Sequence, residues 1–343
     1  MLTITKEVDL MNINDIAKIA GVSSMTVSRV INNSGAVGKK TREKIEKIIK
    51  ENDYLPNVNA RNLSSKQSNT IGVIIPDIEN PFFASIIKGI SSVNDTKNLN
   101  TILYNTNSEI EKESKAIDIM IEQRVKGCII CVVSSFKSNE NIQRLVDRKI
   151  PFILVDRELF NYNYSGLFLD DIYGGYLATK SLIESGHKEI GIITGNFETK
   201  NAQDRYLGYL KALKEFSIPI NEKYVFKGDF KIESGIEFIE TVWKKNSLMT
   251  AVFSSNNFMT LGILKELKKL KIKRKLSIIS FDDPEYFNIL ETHISCIKRD
   301  VYKMGKDSMN LLLSQIEEPN QIKKFFITPT LDLNGSEKLI KNN

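Results

Sequence analysis

Three cysteines in 343 residues cannot make a disulfide framework, so the chain is expected to be reduced and cytoplasmic. Its longest apolar runs, such as Cys128 to Val133 and Ile71 to Ile75, fall far short of the ~18 residues a membrane span needs. Met1 to Leu10 alternates charged and apolar residues, which excludes a secretory signal. Only two histidines are present, His187 and His293, too few for a His-rich metal site or a Ser-His-Asp triad. No G-x-G-x-x-G follows a strand, and neither G-x-x-x-x-G-K-[ST] nor H-E-x-x-H occurs. The expectation is a protein that is not an enzyme, with no catalytic residues, no metal and no cofactor. Cys128 and Cys131 form a C-x-x-C, but in a strand i and i+3 point to opposite faces. With no second pair to complete four ligands, they read as core packing. His187, after Gly186, reads as a helix-end cap.

Apolar residues make up 41% and charged residues 26% of the chain, near the globular average, and the length suggests two to three domains. Charge is unevenly spread. Residues 1–70 hold 11 Lys/Arg against 7 Asp/Glu, which leaves only two of the net +6 for the remaining 273 residues. A polyanion-binding head on a near-neutral body is the implication.

Residues 13–55 read as three short helices. Asn14 can cap the first, in which Ile16, Ile19 and Ala20 share an apolar face. Gly21 and Val22 make a tight turn, and Ser23 or Ser24 caps a second helix with Val27, Val30 and Ile31 inward. That leaves Ser24, Met25, Ser28, Arg29 and Asn32 outward. A third helix, about Lys39 to Asn52, buries Ile45, Ile48 and Ile49, with Tyr54 and Leu55 closing the core. Two helices joined by a Gly turn make a helix-turn-helix, whose second helix enters the major groove. Arg29 can pair bidentately with guanine and Met25 can touch a thymine methyl. Thr26, Ser28 and Asn32 suit phosphates, which position without reading sequence.

The string Asn14 to Ser23, then Thr26 to Asn32, Thr41-Arg42, Tyr54-Leu55-Pro56-Asn57 and Ala60 to Leu63, closely resembles the head of the lactose-repressor (LacI/GalR) family. The resemblance implies that Ser24 and Met25, with Arg29 beside them, choose the bases. It also implies that Asn59 to Ser65 forms a hinge helix ordered on operator DNA, with Ala60 and Leu63 as contacts and Leu63 wedged between base pairs. Such unstacking costs a few kcal/mol but lets bent DNA meet more protein. Paired hinge helices require a homodimer. Residues 1–10 read either as a disordered leader or as a misassigned start, since Met11 fits the usual family start. The expected divisions are then 11–57 for the DNA-binding head and 58–69 for the hinge.

From residue 70 onward apolar strands alternate with amphipathic helices, the pattern of parallel sheets covered on both faces. Strands are expected at 71–75, 101–105, 127–133, 152–155, 167–169, 189–193, 223–226, 250–253 and 277–281. Helices are expected at 82–97, 109–124, 138–148, 174–185, 200–216, 231–245, 256–271 and 301–316. Ligands bind beyond the carboxyl ends of such strands.

This body also resembles the family, whose effector-binding core is similar to periplasmic sugar-binding proteins. The matching strings are Ile71-Gly72-Val73, Asn80 to Phe83, Val155-Asp156-Arg157, Gly186-His187, Asp204 to Tyr209, Gly228-Asp229-Phe230 and Phe281-Asp282-Asp283. It departs at Asn257 and Ser280, where the family carries Asp and Gly. The resemblance implies two parallel-sheet subdomains, about 70–168 with 297–318 and about 169–296 with 319–340, crossed near 168, 297 and 319. It places an effector in the cleft, with Arg205 as a fork of donors, Asp282 accepting from adjacent hydroxyls, and Asn256 doing both. Phe83 and Phe230 would be flat walls, with Asp156 and Phe168 beside them.

The expectation is a transcriptional regulator, acting as a repressor. Its partners would be double-stranded operator DNA with a pseudo-palindromic sequence and a small, carbohydrate-like effector, with no membrane. The chain ends soon after the core, which favours a dimer over a tetramer. The competing readings are a cytoplasmic sugar-binding protein with a vestigial head, and a nucleotide-dependent enzyme on the same body. The intact head string opposes the first, and the missing phosphate loop opposes the second.

Overall fold

The computed structural model describes residues 11–54, 68–246, 248–270, 275–282, 287 and 293–339. Two compact units divide at Ser68 and Asn69. In the first, α1 (Ile13–Ala20), α2 (Ser24–Ile31) and α3 (Lys39–Glu51) surround Ile16, Ala17, Ala20, Val27, Val30, Ile45, Ile48 and Tyr54. Asn12, not Asn14, caps α1: its Oδ1 accepts from the Asn14 and Asp15 amides, while Asp15 accepts from the Asn12 amide at 2.9 Å. That reciprocal box satisfies donors a helix start leaves orphaned. Gly21 ends α1 at φ 67°, in the left-handed region where glycine carries no Cβ penalty. Ser23 caps α2. Ile19 is 51% exposed, because the inner stripe is held by Ile16, Ala17 and Ala20. Leu55, and the hinge residues Ala60 and Leu63, lie outside the described residues.

The second unit holds β1 (Thr70–Ile75), α4 (Pro81–Lys97), β2 (Asn100–Asn105), α5 (Ile110–Glu122), β3 (Gly127–Ile130), α6 (Asn139–Asp147), β4 (Phe152–Val155) and β5 (Gly166–Leu169). There follow α7 (Asp171–Glu184), β6 (Ile190–Thr194), α8 (Lys200–Glu215), β7 (Val225–Lys227), α9 (Ile232–Phe238), β8 (Ala251–Ser254), α10 (Asn257–Leu270) and β9 (Ser277–Phe281). The chain then adds β10 (Ser295–Lys298), α11 (Val301–Glu317), β11 (Lys324–Ile327) and β12 (Thr330–Asp332). One sheet runs β11-β5-β4-β3-β1-β2 and the other β12-β10-β9-β8-β6-β7. Every pairing is parallel except β10 with β12, which is antiparallel. In each sheet the order reverses beside the first strand, β1 or β6, the switch point where open α/β sheets bind ligands.

The chain passes between sheets after β5, after β10, and between β11 and β12. The third passage therefore lies at 328–329 rather than near 319. After α11 the chain first pairs β11 with β5 and only then turns to the second sheet. Cys128 and Cys131 are fully buried and belong to apolar clusters on opposite sides of the first sheet, though β3 itself ends at Ile130.

Three helix pairs approach through glycines on both partners. They are α4 with α11 at Gly89 and Gly305, α7 with α8 at Gly175 and Gly208, and α9 with α10 at Gly235 and Gly262. At each, a Cβ would fall well inside van der Waals contact of a carbonyl on the opposite helix.

His187 does not cap α7 with its ring. Its Nδ1 lies 2.8 Å from Thr250 Oγ1 and its Nε2 3.0 Å from the Glu337 carbonyl, so it ties two loops of the second sheet together. Burial holds the imidazole below its ordinary pKa against the opposing pull of the Glu337 carbonyl. The unfolded chain thus takes up a proton that the folded one refuses, and stability falls as pH drops below ~6.5. Urea unfolding of wild type and His187→Gln should converge as pH falls through that range. A constant difference between the two would remove His187 from the acid response.

Candidate functional site

On the head, α2 presents Ser24, Met25, Arg29 and Asn32 to solvent, with Thr26 and Ser28 half-buried. Met25 is 64% exposed, a large apolar side chain with no core to fill. Arg29 Nη2 lies 3.7 Å from Met25 Sδ, which puts a guanidinium fork and a thioether side by side. Thr26 is less free than its position suggests: its hydroxyl is 2.9 Å from Ser23 Oγ, within the cap. Asn32 Nδ2 donates to Ser28 Oγ at 3.2 Å, steadying the far end of the face. Arg42 donates to Asn33 and Lys44 to the Ala20 carbonyl, so two of the head's cations hold its helices together.

In the second unit a cavity of about 530 Å³ opens beyond the carboxyl ends of both sheets, a volume typical of small-molecule sites. Phe83, Asp156, Arg205, Phe230, Asn256 and Asp282 all line it. Phe168 does not. It is packed within the first sheet's cluster, its ring 5.7 Å from that of Phe326, because β5 points it away from the cleft. Five of the lining residues stand in the left-handed region, Asn107 at φ 51°, Ser108 at φ 60°, Asp156 at φ 68°, Phe230 at φ 70° and Asp282 at φ 68°. Non-glycine residues held this way cost ~1–3 kcal/mol each and cluster at functional sites.

Arg205 is 2% exposed. Its Nε donates to Asp171 at 2.7 Å and its Nη1 to the Ser255 carbonyl at 2.5 Å. The guanidinium stacks 3.6 Å from the Phe281 ring centroid, and its Nη2 has no partner. A buried donor left unpaired costs ~1–3 kcal/mol, so this atom awaits an acceptor. Burial pushes Asp171 up to about 6, outweighing the opposing Arg205 charge. Asn256 spends both ends of its amide locally, accepting from the Met259 amide and donating to the Phe230 carbonyl, each at 2.8 Å. It thus fixes the start of α10 and the unusual backbone of Phe230.

Asp282 does not stand open to ligand hydroxyls. Arg299 takes both its oxygens, Nε to Oδ1 at 2.9 Å and Nη2 to Oδ2 at 3.3 Å, and reaches Asp156 Oδ1 with Nη1 at 2.8 Å. Burial opposes ionisation of Asp156, but Arg299, then Arg205 and Arg157, hold its pKa below the ordinary carboxylate value. Arg299 also lies 4.0 Å from the Phe82 ring centroid. Sequence reasoning missed Arg299 because Lys298-Arg299-Asp300 reads as a solvated charged turn. No local signal could have found it, because the strand before it is only four residues long and sequence patterning does not mark it.

Two family models match. "Bacterial regulatory proteins, lacI family" covers residues 12–57, and "Periplasmic binding proteins and sugar binding domain of LacI family" covers residues 68–318. The chain is 32% identical over 326 residues to a ribose operon repressor of Haemophilus influenzae, spanning 94% of this chain and 97% of the relative. It is 34% identical over 337 residues to an HTH-type transcriptional repressor PurR of the same species, spanning 96% and 99%. Its fold is similar to a lac repressor dimer bound to operator and an anti-inducer, with TM-score 0.83, 24% identity and coverage of 96% and 99%. It is also similar to a LacI-family regulator of Enterococcus faecium with bound ribose, with TM-score 0.70, 26% identity and coverage of 79% and 100%. The chain belongs to the LacI family of bacterial regulatory proteins, DNA-binding transcriptional repressors rather than enzymes.

Proposed function

We propose that this repressor binds a pseudo-palindromic operator as a homodimer in the cytoplasm, through the exposed face of α2 and the segment containing Ala60 and Leu63. A small effector in the cavity between its two sheets controls that binding. The observation that carries the reading is the cavity itself, which gathers charged and aromatic residues following strands of both sheets around an unpartnered Arg205 Nη2. The effector is an uncharged, hydroxyl-rich molecule of the sugar class. Seven carboxylates line the cavity (Asp77, Glu79, Glu109, Asp156, Asp229, Glu233 and Asp282) against four cations (Arg157, Arg205, Lys231 and Arg299), and that excess of negative charge disfavours phosphate or carboxylate ligands. Ribose in the E. faecium regulator supports the same class. On the head, Ser24, Met25 and Arg29 contact bases, while Ser28 and Asn32 contact backbone.

The test is selection of bound fragments from the source genome at a stated salt concentration, since phosphate contacts make affinity salt-dependent. Recovery of a two-fold site supports the reading, and its neighbouring genes nominate the effector for direct titration. Failure to enrich any site, with and without a metabolite pool, overturns it. Arg29→Ala should lose ~1–3 kcal/mol of discrimination at one base position per half-site. Unchanged preference at every position of the selected site would remove Arg29 from base reading.

A further inference from the structure

The two carboxylates that Arg299 joins follow strands of different sheets. Asp156 comes directly after β4 of the first sheet and Asp282 after β9 of the second. Arg299 itself stands at the second passage between the sheets, directly after β10. Its side chain is 2% exposed, as against 4% for Asp156 and 10% for Asp282. All three of its nitrogens are engaged, and the guanidinium lies against Phe82. This is a fully satisfied buried bridge made by the protein's own side chain, inside the cavity where a ligand would span the two subdomains.

We propose that Arg299 is a resident occupant of the effector cavity. It takes the carboxylate positions a ligand hydroxyl would use and holds the two subdomains closed with no effector present. The second half of the idea, that an effector displaces it, rests on the cavity being the effector site; the closure itself does not. With both oxygens of Asp282 held by Arg299, and those of Asp156 engaged by Arg299 and Asn201, the inner cavity offers an incoming ligand a donor, Arg205 Nη2, before it offers a free carboxylate pair. Recognition therefore begins at an acceptor atom of the ligand. Its hydroxyl donors reach Asp282 only by displacing Arg299.

Other contacts between the subdomains supply the readout. The Ser135 amide donates to the Glu198 carbonyl at 2.7 Å and the Lys200 amide to Ser135 Oγ at 2.9 Å. Asn257 Nδ2 donates to Asn80 Oδ1 at 3.2 Å, and Asn201 Nδ2 to Asp156 Oδ2 at 3.4 Å. The two backbone donors are protected from exchange only while the subdomains are together.

The experiment is hydrogen–deuterium exchange on the full-length, ligand-free chain, comparing wild type with Arg299→Gln and, separately, Asp156→Asn. Arg299→Gln leaves two buried carboxylates without the cation that bridges them. Asp156→Asn removes the charge from one side of the bridge and leaves Arg299 ion-paired with Asp282 alone. Both variants should speed exchange at Ser135 and Lys200 by about tenfold or more, a local opening, while β1 and β6 keep wild-type protection. A variant that merely misfolds speeds the strands as well, and the other variant then decides. Wild-type exchange at Ser135 and Lys200 in a variant with intact strands overturns the proposal. Because no ligand is added, that failure would leave the cavity's assignment as the effector site standing.

Discussion

Arg205→Met should lower the unfolding free energy of the core by ~3–5 kcal/mol, because it strands the buried Asp171 carboxylate. Asp171 is 4% exposed and has Arg205 as its ion-pair partner. Methionine keeps much of the volume against Phe281 while deleting the charge, so the loss reads the pair rather than a cavity. Replacing both partners with apolar side chains of similar size, Arg205→Met with Asp171→Leu, should recover most of the stability, since removing a whole buried pair is often neutral. Urea unfolding of the two single variants and the double completes the cycle. If the single variant matches wild type, the pair is not what holds this corner. Effector binding should be lost in the double variant even where stability returns, because the Nη2 donor is gone.

Gly175→Ala is the second large effect. Its Cβ would fall within van der Waals contact of the Arg205 carbonyl, so α7 and α8 must separate to admit one methyl group. Overpacking of this kind costs ~1–3 kcal/mol and occasionally more, and here the upper end applies because the obstruction is backbone, which cannot rotate away. The displaced atom belongs to Arg205, so the strain reaches the guanidinium on Phe281 directly. We expect a lower midpoint in urea together with weaker effector binding. A variant that loses neither would show that the helices have room to spare.

The head was legible because its signals are local. Gly21 and Ser23 mark the turn, and 3.6-residue periodicity marks the inner stripe. The misassigned details are those that periodicity leaves open. Asn12 and Asn14 are both good caps two residues apart, and only the Asp15 carboxylate three residues on selects the first. Ile19 lies at the edge of the stripe, where coverage depends on what packs across it. In the body, the buried parallel strands announce themselves as apolar runs. Strands β10, β11 and β12 were not foreseen. They are three or four residues long, and β11 leaves Phe325 and Phe326 53% and 56% exposed, so no alternation marks it. The resemblance places the third passage near 319, although the chain pairs once more with the first sheet before leaving it.

Of the cavity, Phe83, Asp156, Arg205, Phe230, Asn256 and Asp282 were reached through a resemblance rather than through residue chemistry. Phe168 shows its limit: a family position carries over, but the direction of a side chain depends on this strand's own packing. Arg299 shows the reverse. No pattern in its neighbours separates a buried bridge from a surface charge; only the meeting of Asp156 and Asp282 in space does.

Joining the two subdomains by three passages rather than one has a consequence for how strongly any ligand must bind. A single tether would let the halves drift apart, and each closure would begin as an encounter at low effective concentration. Three short connections side by side leave little but rotation, so the facing groups never leave one another's neighbourhood and contacts of modest individual strength suffice to close them. An effector then has only to favour one angular setting over another. The ratio of its affinities for the two settings, not its total affinity, is what the operator feels. A weakly bound metabolite can govern such a repressor as firmly as a tight one, provided it tells the two settings apart.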